Sequence, residues 1–170
     1  TEYGTLILEH SGKTEKVKSN NEEGITNGLI KLLQTEVKKI YFVSGHGERS
    51  INNYGNDGYD QLKSAIEAEN YSVEEILLLR EEKIPDDAAV IIVAGPRGDF
   101  ENYEIQLLDA FIHNGGRLLF LMDPGDGTGQ LPNIEALLER YGLLLGNDII
   151  IDPLSRVLSG DFFMPVINSY

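Results

Sequence analysis

The sequence predicts an α/β domain of three layers, a mostly parallel sheet with helices on both faces, extended at its N-terminus by a β-hairpin. Three observations predict it. Lys39–Ser44, Ala89–Ala94 and Leu118–Met122 are nearly unbroken apolar runs of β-branched, leucine and aromatic residues, the pattern of strands buried on both faces. Each run exits into a small or polar turn: Ser44-Gly45-His46-Gly47-Glu48, Gly95-Pro96 and Asp123-Pro124. Helical patterns lie between the runs, so the exits should gather along one rim of a parallel sheet.

Taken in order, Thr5–His10 and Lys13–Val17 flank Ser11-Gly12, a turn that tolerates positive φ, and predict the hairpin. Asn20-Asn21 offers a helix N-cap, after which Ile25, Leu29, Leu32 and Leu33 share one helical face. The strand 39–44 follows. Asn56-Asp57-Gly58 opens a second helix with Tyr59, Leu62 and Ile66 on one side. Tyr71–Leu79 alternates and then turns apolar, which predicts a strand; Ile84-Pro85-Asp86-Asp87 is a loop before the strand Val90–Ala94. Tyr103, Ile105, Leu107, Leu108, Phe111 and Ile112 give a wide apolar helix face, closed by Gly115-Gly116. After the strand Arg117–Met122 and a glycine-rich loop from Asp123 to Gly129, Pro132 starts a helix carrying Ile134, Leu137, Leu138 and Tyr141, which Gly142 stops. Asp148–Asp152 is predicted as a short late strand. The whole reads as one α/β domain over residues 1–170, with 1–20 a hairpin extension and 36–152 the core. The ends, Thr1-Glu2-Tyr3 and Ile167-Asn168-Ser169-Tyr170, read as those of a fragment of a longer protein.

The net charge is −14, which repels polyphosphate, and no basic stripe with interleaved aromatics counters it; nucleic acid is not an expected partner. Cysteine is absent, which excludes disulfides, thiolate metal sites and a cysteine nucleophile. No apolar run reaches the roughly 18–20 residues that span a bilayer.

The strongest constellation is Ser44-Gly45-His46-Gly47-Glu48-Arg49. Two glycines flank a histidine at a strand exit, where backbone can approach a ligand and imidazole and carboxylate stand side by side. His46 as base with Glu48 as its partner is the enzymatic reading; recognition of a ligand or partner, and a purely architectural turn, are the other two. Gly95-Pro96-Arg97-Gly98-Asp99 occupies the position of a nucleophile elbow but holds no Ser, Cys or Thr, which speaks against acyl-enzyme chemistry. Arg97 is an anion-binding candidate beside a helix N-terminus or an ordinary surface arginine. The tripeptide Arg97-Gly98-Asp99 is read as a chance match to an integrin ligand. Asp123 and Asp126 share a loop without the alternate-oxygen spacing of a calcium site. His10 and His113 share no metal spacing with His46. Asn70-Tyr71-Ser72 matches a glycosylation sequon, a weak signal alone. No cofactor and no metal ligand set are expected. Gly45, His46, Gly47, Glu48, Gly95, Arg97 and Asp123 all follow strand ends and form the expected rim.

Lys38–Glu48, with its "GHGE" turn, together with Ile25–Ile30, Ile84–Pro96 and Gly115–Pro124, resembles the auxiliary components of ABC-2-type transport systems, including GldG-like gliding-motility proteins. The resemblance covers roughly residues 4 to 165. It implies a class I glutamine amidotransferase-like fold, related to flavodoxin-like sheets, without that fold's cysteine nucleophile. It also implies a domain held outside the cytoplasmic membrane by segments beyond this chain, with transporter membrane or ATPase subunits or other envelope proteins as partners.

The expected function is therefore a non-catalytic binding domain that recognises a partner protein or a carbohydrate-like ligand along the rim. The rivals are a hydrolase using His46 and Glu48, with a metal at Asp123, and a scaffold module without a small-molecule site. A binding module predicts that His46→Ala and Arg97→Ala weaken capture at unchanged melting temperature; an enzyme predicts His46 and carboxylates converging in a closed pocket.

Overall fold

The structure is a computed structural model and describes residues 5–18, 21–33, 38–55, 58–123 and 130–146. The expected loop after Asp123, the late strand at 148–152 and the first two residues of Asn56-Asp57-Gly58 lie outside the described residues.

The hairpin forms as the sequence predicts. Strands β1 (Leu6–His10) and β2 (Lys13–Val17) pair antiparallel, with Leu8 opposite Glu15. Ser11 and Gly12 both take positive φ, 48° and 79°, the combination whose twist matches a two-residue hairpin. Helix α1 (Glu22–Leu33) packs on this pair, and its entry is capped by Asn21, whose Oδ1 accepts the Gly24 N–H at 2.9 Å.

The core follows as β3 (Lys39–Val43), α2 (Asp60–Ala68), β4 (Ser72–Ile76), a 3₁₀ turn (Leu78–Arg80), β5 (Ala88–Ala94), α3 (Asn102–His113), β6 (Arg117–Leu121) and α4 (Pro132–Arg140). The four core strands form one sheet in the order β4-β3-β5-β6, and every pairing is parallel. Alternate residues of β3 and β5 feed two cores. Tyr41, Val43, Ile91 and Val93 pack with Ile105 and Leu108 of α3, with Ile134, Leu137 and Leu138 of α4, and with Leu78. Ile40, Phe42, Ile92 and Ala94 pack on the other face with Ile51 and Val73, against Tyr59, Leu62 and Ile66. The chain is thus α/β, with helices on both sides of a parallel sheet.

Two expectations are corrected. The strand expected over Tyr71–Leu79 stops at Ile76. Its apolar tail curls into the 3₁₀ turn, which buries Leu78 completely and leaves Leu79 51% exposed. Burial on both faces holds for β3 and β5 but not for β6. Leu118 and Phe120 meet the core beneath α3, whereas Leu119 on the other face is 43% exposed. β6 is an edge strand of the described sheet, and α2 covers the sheet at the far side of β3.

Helix ends match their residues. Gly115, at φ 86°, and Gly116 donate to the carbonyls of Ile112 and Phe111 and close α3. Pro132 takes the first turn of α4.

Candidate functional site: the rim at the carboxyl ends of the strands

From β3 the chain passes to β4 on one side, and β5 then returns to β3's other side. Strand order therefore reverses between β3 and β5, where open α/β sheets leave a crevice. The loops leaving these strands are stitched together by main-chain bonds. Arg49 N–H donates to Ala94 O at 2.9 Å, and Gly95 N–H to Leu121 O at 2.7 Å. The N–H groups of Arg97 and Gly98 both donate to His46 O, at 2.8 and 2.9 Å. Arg49 Nη2 meets Asp123 Oδ2 at 2.8 Å across the top. The exits of β3, β5 and β6 thus share one edge.

Gly47 and Gly95 are among the positions on this edge that require glycine. Gly47 has φ 81°, and a Cβ there would come within 3.1 Å of Arg97 Cβ. Gly95 has φ 62°, and its Cβ would lie 2.9 Å from Asp123 Oδ2 and 3.3 Å from Arg49 Nε. The stem of Arg97 consequently lies flat over Gly47, with the residue itself exposed.

His46 and Glu48 are not presented on this edge. Their side chains turn beneath it and are only 11% and 2% exposed. His46 N–H donates to Glu48 Oε2 at 2.7 Å. The imidazole stacks at a 45° tilt on Phe100, ring centroids 4.5 Å apart. Its Nδ1 lies 3.5 Å from Glu48 Oε1, and its Nε2 lies 3.0 Å from Oε2 of Glu104. Glu104 is fully buried. The same Oε2 accepts the Glu101 N–H at 2.9 Å, one half of a capping box at the start of α3. His46 Nδ1, Glu48 Oε1 and Glu104 Oε1 are buried without a hydrogen-bond partner among the described residues.

Glu104 is the residue that sequence reasoning missed. The local signal was the Glu101-x-x-Glu104 spacing ahead of an apolar helix; its contact with His46 is non-local and left no pattern. Asp99 serves the fold, because its carboxylate accepts the N–H groups of Asn133 and Ile134, at 2.9 and 3.2 Å, and so caps α4. His10 is exposed, and His113 Nδ1 sits 2.9 Å from Asp109 O on the surface of α3. The sequon residue Asn70, at φ 65°, spends its amide on Asn27 O at 3.1 Å. Among the described residues no group of three or more His, Cys, Asp or Glu side chains could hold a metal ion. No helix among them is long and apolar enough to cross a membrane. A groove of about 840 Å³ lies at the opposite end of the sheet, lined by Lys38, Lys83, Asp87, Phe111 and Arg117 among others.

Known proteins share parts of this chain. It is 35% identical over 60 residues to the intraflagellar transport protein 52 homolog of Mus musculus, covering 35% of the chain and 14% of that protein. It is 27% identical over 97 residues to the homologous protein of Homo sapiens, covering 56% of the chain and 22% of that protein. The chain therefore matches less than a quarter of the length of either relative. The solved "mmIFT52 N-terminal domain" superposes with a TM-score of 0.51 at 24% identity, over 66% of this chain and 48% of that one, a likeness of fold. A family model described as an ABC-type uncharacterized transport system matches residues 37–160. That match spans β3, the rim loops and every later described element, and by it the chain belongs to the auxiliary family of ABC-type transport systems.

Proposed function

We propose that residues 1–170 form one non-catalytic binding domain of an ABC transporter auxiliary protein of the GldG-like kind, on a flavodoxin-like or glutamine amidotransferase-like sheet. It is held outside the cytoplasmic membrane by segments beyond this chain. It engages membrane or ATPase subunits of the transport system, or other envelope proteins, through the rim formed by Gly45, Gly47, Gly95, Arg97 and Asp123. A carbohydrate-like group is the small ligand this rim would accept.

One observation carries the reading. The imidazole and carboxylate a hydrolase would need are turned under the rim, 11% and 2% exposed, while Arg97 and Asp123 stand on its surface. A general base must reach the proton it removes; His46 instead faces Glu104 and Glu48. The family is one of transport-system auxiliaries, and the curated relatives are named for a transport process. Both accord with a binding role.

The inward histidine changes which variant tests the reading. His46→Ala would take a partner from buried Glu104 and lower stability, so Arg97→Ala is the informative change. Full-length protein carrying Arg97→Ala, co-purified with the solubilised transport complex, is expected to retain its melting temperature and lose most of its capture. Undiminished capture would overturn the assignment of the rim.

A further inference from the structure

We infer that Glu104 is the positioning residue of this rim, acting through His46 on the main chain that carries Arg97. The path is short and continuous. Glu104 is fully buried, and its Oε2 lies 3.0 Å from His46 Nε2. At that distance the carboxyl oxygen and the ring nitrogen are within hydrogen-bond reach of each other. The ring is clamped from a second side by Phe100, at 4.5 Å between centroids. The carbonyl of the same residue receives both N–H groups of the Arg97-Gly98 turn, at 2.8 and 2.9 Å. His46 thus joins α3 to the β5–α3 loop: its side chain is held by the helix and its main chain holds the loop. Residues just beyond that turn extend the link, because Asp99 caps α4 and Phe100 O accepts Asn133 Nδ2 at 2.8 Å.

A capping role alone does not account for Glu104. An N3 glutamate that merely completes a capping box can lie at the helix surface. Here the carboxyl is driven fully into the interior, where leaving it without a partner is strongly destabilising, and His46 is a titratable side chain it meets there.

Hydrogen exchange on the ¹⁵N-labelled protein, with ring-nitrogen spectra of His46, separates positioning from capping. Glu104→Ala removes both functions, Glu104→Gln keeps an acceptor for both, and Glu101→Ala removes only the reciprocal half of the cap. Glu104→Ala is expected to speed exchange at the Arg97 and Gly98 amides about tenfold or more. Glu104→Gln should restore it toward the original rate, and Glu101→Ala should leave it unchanged. Equal acceleration in Glu101→Ala and Glu104→Ala, or none in Glu104→Ala, overturns the inference. If Glu104→Ala fails to fold, the unmodified protein decides: His46 Nε2 must show the shift of a hydrogen-bonded nitrogen, and a nitrogen free of any hydrogen bond refutes the strut. The importance of this strut for binding rests on the proposed rim, but the exchange measurement does not. Loss of the rim reading through Arg97→Ala would leave the exchange result standing.

Discussion

The two ends of the parallel sheet differ in a buried charge cluster, which the carboxyl end carries beneath its exposed Arg49–Asp123 pair. At the carboxyl end, His46, Glu48 and Glu104 are drawn inside, with side chains 11%, 2% and 0% exposed. At the amino end the charges stay at the surface. Lys39 Nζ bridges Glu74 at 2.9 Å and Asp87 at 3.2 Å, and Tyr41 donates to Asp87 at 3.1 Å. Water screens the second network and is largely kept from the first. The carboxyl end therefore depends on each buried partner, whereas the amino end tolerates losing one.

The largest expected effect follows from that contrast. His46→Ala removes the ring nitrogen that meets Glu104 Oε2, leaves that buried carboxyl with one partner fewer, and should cost about 1–3 kcal/mol in chemical denaturation. Lys39→Ala, at the other end, should move the denaturation midpoint by a small fraction of that. Equal losses would erase the distinction. A smaller effect is expected at Asp99, whose carboxylate satisfies two otherwise orphaned N–H groups of α4. Asp99→Ala should cost about 0.5–2 kcal/mol, with Asp99→Asn close to the original.

The pH response should come from the amino end and be smaller still. Burial pushes Asp87 upward, but hydrogen bonds from Lys39 and Tyr41 outweigh it and hold the carboxyl below its usual range. Its contribution is present above the usual carboxylate range and is lost as pH falls through the lowered value. Asp87→Asn should flatten the acid limb of a melting-temperature profile. Lys39 is raised, first by its hydrogen bond to Glu74 and then by that to Asp87. Tyr41 is raised by burial and then by Asp87. A group raised in the fold contributes fully below its unfolded value, so both contributions fade only as pH climbs past about 10. Tyr41→Phe should remove part of the alkaline limb, and an unaltered limb would exclude Tyr41 from it.

Much of this architecture was legible because its causes are local. Apolar runs of strand length announced β3 and β5; Ser11-Gly12, Asn21, Gly115-Gly116 and Pro132 marked turns and helix ends through backbone geometry. What was illegible depends on neighbours distant in the chain. Leu119 has the same character as Ile92, but one lies in an outer strand and the other in a central one. Leu78 looked like strand and became a core plug. Asp99 looked like part of a surface tripeptide, and its partners lie 34 and 35 residues further on. The "GHGE" turn was correctly placed at a strand exit, but the direction of its histidine is set by Phe100 and Glu104 from another loop and helix.

The proposed binding role turns on which end of the sheet would meet transport-system subunits. Tyr54, 87% exposed in the loop after β3, and Lys83, beside the groove at the amino end, are sites for a photoreactive amino acid in the full-length protein. Crosslinks to transport-system subunits are predicted from position 54 and not from position 83. Crosslinking from 83 with silence at 54 would contradict a rim that binds.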